Sequence, residues 1–167
     1  FDGYPRQMVD QLQMDPVAEF SVTAREFADR ITDMCVAPFT TGGAPTSLFE
    51  AFGCVGGNTM SFVPHFERID VCEMDPTRFG MLQHNMALYG QYVGGISHVH
   101  MHLGPFQEFM DETYDVAFLD PPWGGTNDLT RFTVGGMTMN DMVNMFLQRC
   151  KRVVIKLPPS YDRAEFE

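Results

Sequence analysis

The sequence predicts an α/β fold with a mostly parallel central sheet and helices on its faces. Three observations carry that expectation. From residue 47 onward, short apolar runs that end in acidic or glycine-rich turns alternate with segments of helical period. The helical segments between runs are long enough to be crossovers, which return each strand parallel to the last. The chemistry-bearing stretches, Glu50 to Thr59, Glu73, and Asp120 to Trp123, stand at or just past the ends of those runs. Open parallel sheets place their ligand crevice there.

Residues 1–19 read as an irregular, polar N-terminal extension and residues 20–167 as one domain, as 167 residues with 44% hydrophobic composition allow. In "FSVTAREFADRITDMC", residues 20–35, helical period puts Phe27, Ile31 and Met34 on one face, and Thr23 with Glu26 makes a capping box. "TTGGAPT", residues 40–46, is a loop. "SLFEAF" at 47–52 is the first strand, followed by a glycine-rich turn and a helix from about Asn58. "RIDVC" at 68–72 is the second, and "DPTRFGMLQHNMALYG" at 75–90 is a helix with Pro76 in its first turn. "SHVHMHL" at 97–103, "DVAFL" at 115–119 and "RVVIKL" at 152–157 are the remaining strands. Residues 138–150 form a helix capped by Thr138 or Asn140. The thirteen methionines scatter through several segments and suit core filling.

Eleven basic residues against twenty-two acidic ones give a formal charge of −11, which opposes the phosphate-neutralising surface of a long nucleic-acid groove. A small nucleotide, or a cap at a chain end, remains compatible, because one or two cations and a stacking aromatic suffice there. No run of about 18 apolar residues and no basic-then-apolar leader is present, so a soluble chain without a membrane partner is expected. Cys35, Cys54, Cys72 and Cys150 form no CxxC pair and read as reduced, mostly core thiols. His98, His100 and His102 alternate on a strand and so spread over about 13 Å, too far to share one ion. No bound metal is expected.

"EAFGCVGGNT", residues 50–59, puts Gly53, Gly56 and Gly57 between a strand and a helix. Backbone can approach a ligand closely there, although a tight structural turn would read the same way. Glu73 ends the second strand, where a carboxylate can accept hydrogen bonds from both hydroxyls of a ribose. Asp75, just before Pro76, reads as a helix-start charge. In "DPPW", residues 120–123, two prolines fix two φ angles and remove two N–H donors, leaving a rigid elbow with free carbonyls. Trp123 can stack on a planar base. Asp120 and a proline carbonyl can then hold an exocyclic amine for in-line attack on an electrophilic methyl group.

"DPPW" resembles the signature of class I S-adenosylmethionine-dependent methyltransferases that modify amino nitrogens. "FSVT" (20–23), "GGNT" (56–59), "DP" (75–76) and "PPWGG" (121–125), in this order, resemble the trimethylguanosine synthase family, which methylates the exocyclic amine of 7-methylguanosine caps. The resemblance implies a Rossmann-like class I methyltransferase fold and S-adenosylmethionine as cofactor; that fold normally adds a closing antiparallel pair of strands, and this sequence stops soon after its fifth, which reads either as missing residues or as a reduced variant. It further implies the capped 5′ end of RNA as substrate, ribonucleoprotein partners and an intracellular, nuclear setting. By this resemblance Phe20, Ser21 and Thr23 border the cofactor and cap pocket, and Glu50, Cys54, Gly56, Asn58, Glu73, Phe106 and Asp120 surround the cofactor. Asp120 and Pro121 hold the reacting amine, while Trp123, with Pro122 and Ser21, receives the methylated base. Five positions depart from the family pattern. Glu50 replaces an aspartate, Gly53 and Cys54 are exchanged in order, Pro105 stands for an aspartate, and Glu19 stands for an aromatic. Two other readings stay open: a non-catalytic binding or assembly module in a ribonucleoprotein, and an amino methyltransferase of rRNA or DNA bases.

Overall fold

The structure, a computed structural model, describes residues 3–124, 132–159 and 161; Gly125 of the "PPWGG" motif and residues 162–167 lie outside them. Its strands are β1 (Ser47–Glu50), β2 (Arg68–Glu73), β3 (Val99–Leu103), β4 (Tyr114–Leu119), β5 (Thr133–Val134), β6 (Met137–Thr138) and β7 (Cys150–Ile155). Five of them form one sheet in the order β3-β2-β1-β4-β7, and every neighbouring pair is parallel. The chain therefore winds outward through β1, β2 and β3, then returns to place β4 on the other side of β1. That reversal opens a crevice above the C-terminal ends of β1 and β4. β5 and β6 make a separate antiparallel hairpin turned through Gly135 and Gly136, whose φ values of 58° and 81° suit a two-residue loop.

The helices are α1 (Arg6–Val9), α2 (Pro16–Ser21), α3 (Arg25–Val36), α4 (Gly57–Phe62), α5 (Pro76–Val93) and α6 (Met139–Leu147). Side chains of the strands alternate between two cores. Leu48, Ile69, Val71, Val116, Phe118 and Val154 pack with Ile31, Met60, Leu82 and Met86 from α3, α4 and α5. Phe49, Cys72, Ala117 and Leu119 pack with Phe106, Met139, Met142 and Phe146 on the opposite side. Burial on both faces is why the strands read as nearly continuous apolar runs.

Several expectations change at this level. Residues 1–19 are not irregular throughout: they carry α1 and most of α2, and Met8 is fully buried in the first core. The single helix expected over 20–35 is two, because Val22 and Ala24 are extended (ψ 132° and 142°). Thr23 does not cap α3, whose N-cap is Ala24 with no side-chain bond. The buried stripe of α3 is Ala28, Ile31, Thr32 and Cys35, whereas Phe27 and Met34 are 57% and 52% exposed. Thr32 belongs to that stripe because its hydroxyl donates to the Ala28 carbonyl at 2.9 Å and bonds Ser61 at 2.8 Å. β1 ends at Glu50 and β7 at Ile155, each two residues earlier than expected. Of the two caps considered for α6, Thr138 is the one, accepting from the Asp141 N–H at 3.1 Å. Among the described residues, no helix is long and apolar enough to cross a membrane.

Candidate active site

A cavity of about 1030 Å³ opens at the C-terminal ends of β1, β2 and β4. Its walls are the N-terminal segment from Pro16 to Thr23, the turn after β1, the exit of β2, the loop at Gly104–Gln107 and the elbow at Asp120–Gly124, with Val134, Gly135 and Lys156 completing them. Phe20, Ser21, Thr23, Cys54 and Asn58 all border it, as do Glu73, Phe106, Asp120, Pro121, Pro122 and Trp123. Glu50 and Gly56, also expected around the cofactor, do not line it.

The N-terminal wall is held by two anchors. Buried Asn85 of α5 donates to the carbonyls of Gln13 and Val55, both at 2.9 Å, and accepts from the Gln13 N–H at 2.8 Å. Asp15 caps α2 through the Ala18 N–H at 2.6 Å and pairs with Arg78 at 3.0 Å. The Ala18 bond foremost, then Arg78, keeps the Asp15 carboxyl below the usual carboxylate range. Phe20 is left 95% exposed at the mouth, and Ser21 turns its hydroxyl back onto the Val17 carbonyl at 2.8 Å.

The turn after β1 explains the exchanged glycine and cysteine. Gly53 donates its N–H to the Cys72 carbonyl at 2.7 Å, so close to β2 that a Cβ there would meet Val71 Cγ2 at 2.4 Å. Cys54 takes the left-handed backbone, φ 48°, and its N–H reaches Glu73 Oε2 at 2.9 Å. Glu73 Oε1 accepts from the Asp75 N–H at 2.8 Å. Burial raises the Glu73 pKa, and these two N–H bonds oppose the rise. A carboxylate has about four acceptor sites, so Glu73 retains capacity for the vicinal hydroxyls of a ribose. Its own carbonyl accepts the Gly104 N–H at 3.0 Å, which draws Pro105 and buried Phe106 onto the cavity wall. With Met74, these make an apolar slot suited to the edge and face of a planar base. Diol acceptor and apolar slot side by side fit an adenosine.

Glu50 lies beneath this turn, wholly buried, with Oε2 accepting from Thr59 at 2.6 Å and Oε1 unpartnered. Burial pushes its carboxyl up to about 8, against the Thr59 bond. It supports α4 rather than facing the cavity.

At the elbow, Asp120 Oδ2 accepts from Lys156 Nζ at 2.8 Å and from the Thr23 hydroxyl at 3.5 Å. Lys156 also donates to Thr23 at 2.9 Å, and Thr23 accepts from Asn58 at 3.2 Å. Burial raises the Asp120 pKa, while Lys156 foremost and then Thr23 pull it back; the buried Trp123 N–H makes no hydrogen bond. Trp123 lies against Phe132, centroids 4.6 Å apart and tilted 30°, with Tyr161 edge-on at 5.8 Å. Sequence reasoning passed over Lys156 and Arg78, both of which line the cavity. The histidines go elsewhere: His102 bonds Asp70 at 2.8 Å and stacks on Phe109, and His98 bonds the Val63 carbonyl. Among the described residues no three His, Cys, Asp or Glu side chains are placed to hold a metal ion, and all four cysteines are free thiols.

Comparison with known proteins bears on the family and the fold. Residues 46–166 match the model of the RNA cap guanine-N2 methyltransferase family. The trimethylguanosine synthase of Schizosaccharomyces pombe is 31% identical over 84 residues, 48% of this chain and 35% of that protein. The uncharacterized protein L320 of Acanthamoeba polyphaga mimivirus is 28% identical over 121 residues, 69% of this chain and 47% of that one. The chain thus spans between a third and a half of the length of these curated relatives. Among solved structures, the precorrin-6y C5,15-methyltransferase of Geobacter metallireducens superposes with a TM-score of 0.61 at 14% identity, covering 87% of this chain and 68% of that one. The fold is that of the Rossmann-like class I methyltransferases. Family and fold together imply S-adenosylmethionine as the cofactor, which the diol acceptor and apolar slot suit. By the match over most of its length, this chain belongs to the RNA cap guanine-N2 methyltransferase family.

Proposed function

We propose that this chain methylates the exocyclic N2 amine of a 7-methylated guanine in an RNA cap. The observation that carries the reading is that the adenosine-suited wall, Glu73 with Phe106, and the Asp120–Trp123 elbow border one cavity. S-adenosylmethionine supplies an electrophilic methyl group on its sulfonium. The chain contributes orientation and electrostatics. Asp120 and the Pro121 carbonyl accept the two amine N–H bonds, which aims the nitrogen lone pair in line with the methyl. As the N–C bond forms, the methyl's bond to sulfur would break to leave a neutral thioether, and the nitrogen would give up one proton, for which the Asp120 carboxylate is the proposed acceptor. A cationic 7-methylguanine over the Trp123 indole gains about 0.5–2 kcal/mol from cation–π attraction, which favours a methylated cap over plain guanine. The charge of −11 suits a cap at a chain end better than a long RNA groove. A nuclear ribonucleoprotein setting accords with this substrate.

The test is transfer of a radiolabelled methyl group to RNA bearing a 7-methylated cap, an unmethylated cap, or no cap. Label on the cap guanine of the first RNA alone supports the reading. Label in internal nucleotides, or equal labelling of both caps, overturns the cap assignment.

A further inference from the structure

We propose that Lys156 is a positioning residue of this site: its ammonium fixes the Asp120 carboxylate through Oδ2 and presents it to the substrate amine. The proposal rests on the methyl-transfer reading above. Its geometric basis is the sheet itself. Leu119 and Ile155 are in register on β4 and β7, and the Lys156 N–H donates to the Leu119 carbonyl at 2.9 Å. Residues 120 and 156 therefore leave adjacent strands side by side, and Nζ meets Oδ2 at 2.8 Å with little freedom to miss. Thr23 completes a triangle, 2.9 Å from Nζ and 3.5 Å from Oδ2. Both bonds end on Oδ2, and neither uses Oδ1. The carboxylate is held at one oxygen while the other keeps its lone pairs for an N–H donor in the cavity.

Charge makes the ammonium necessary. The Asp120 side chain is only 13% exposed, and Glu50, the buried acidic group on the adjacent strand β1 that interacts with it, offers no compensation. Among the described residues Lys156 is its ion-pair partner, and the Thr23 hydroxyl is the other side chain that hydrogen-bonds it. A carboxylate so buried takes up a proton once its cation is removed. A protonated Asp120 would turn one oxygen into a donor and lose its grip on the amine.

The test uses the full chain with Lys156→Gln, which keeps a donor for Thr23 but loses the charge, and Lys156→Arg, which keeps the charge. Three readouts are compared with wild type: the carboxyl ¹³C titration of Asp120 without cofactor, S-adenosylmethionine affinity by calorimetry, and the pH profile of methyl transfer. For Lys156→Gln we expect the Asp120 midpoint to rise by at least one pH unit and kcat at pH 7 to fall tenfold or more. The acid limb of the profile should move up with the midpoint, and cofactor Kd should change less than threefold. Lys156→Arg should restore the midpoint and most of kcat. An unmoved midpoint, a loss lying wholly in cofactor affinity, or an arginine variant no better than the glutamine one would overturn the proposal. Absence of methyl transfer by the wild type to any cap would sink the functional reading instead, and the titration would still decide the role of Lys156.

Discussion

Thr59 donates its hydroxyl to Glu50 Oε2 at 2.6 Å, and neither side chain reaches solvent. Burial dominates and raises the Glu50 carboxyl to about 8. An unfolded glutamate titrates near about 4.3, so between those values the folded chain binds the extra proton. Stability then falls as pH rises through that window and levels off above it. Glu73 and Asp120, also raised, add in the same sense. The urea-unfolding free energy should be greater at pH 5 than at pH 8. Glu50→Gln should remove roughly 2–4 kcal/mol of that decline, allowing for relaxation around a buried charge. Identical slopes for variant and wild type would show that Glu50 is not its source.

Asn85 joins α5 to the segment that leads into α2, bonding both the N–H and the carbonyl of Gln13 and the carbonyl of Val55. Asn85→Ala strands a donor and two carbonyls in a part-buried site. We expect a loss of about 2–4 kcal/mol by chemical denaturation. Cofactor affinity should drop as well, since Pro16 to Thr23 form a cavity wall. Gln83→Ala, on the exposed side of the same helix, should stay within about 0.5 kcal/mol of wild type. An Asn85→Ala chain as stable as that control would refute the anchoring role.

The strands were legible because β1, β2 and β4 are buried on both faces and bounded by turn residues, a local signal. Their order was not, since placing β4 beside β1 depends on long crossovers. The break at Val22–Ala24 contains neither proline nor glycine, so helical period ran straight through it. Cavity residues such as Glu73 and Asp120 were found by their place at strand ends, which the crevice rule marks. The same rule misjudged Glu50, because a strand-end residue faces the ligand or the core according to its parity, and here Thr59 receives it. Lys156 was lost to a boundary error of two residues: read as part of a strand running to Leu157, it had no reason to face a ligand.

The turn after β1 predicts opposite outcomes for adjacent residues. Gly53→Ala would drive a methyl into Val71 Cγ2, and should cost about 1–3 kcal/mol and weaken cofactor binding. Cys54 holds φ 48°, a conformation that costs a residue with a Cβ about 1–2 kcal/mol. Cys54→Gly should therefore be neutral or stabilising by up to about 1 kcal/mol, after the entropy glycine loses on folding. Thermal unfolding of the two variants checks both signs. Equal destabilisation would mean that the turn is not strained at Cys54.

Trp123 is the only tryptophan of the chain, so its fluorescence reports from the elbow alone. Phe132 covers one face of the indole at 4.6 Å, and a base that stacks there must use the other face or displace the phenyl ring. Titration with a 7-methylated cap dinucleotide should quench the emission at lower concentration than an unmethylated analogue, by the cation–π margin of about 0.5–2 kcal/mol. Trp123→Ala should abolish transfer and leave S-adenosylmethionine affinity nearly unchanged, because the cofactor-suited wall is built from Glu73 and Phe106. Phe132→Ala separates the two ways of stacking. If the base takes the open face, cap affinity should fall modestly as the indole loses its backing. If it replaces the phenyl ring, affinity should rise, since a competing contact has been removed. Equal quenching by both dinucleotides, in wild type and in Phe132→Ala, would deny Trp123 the role of methylated-base platform.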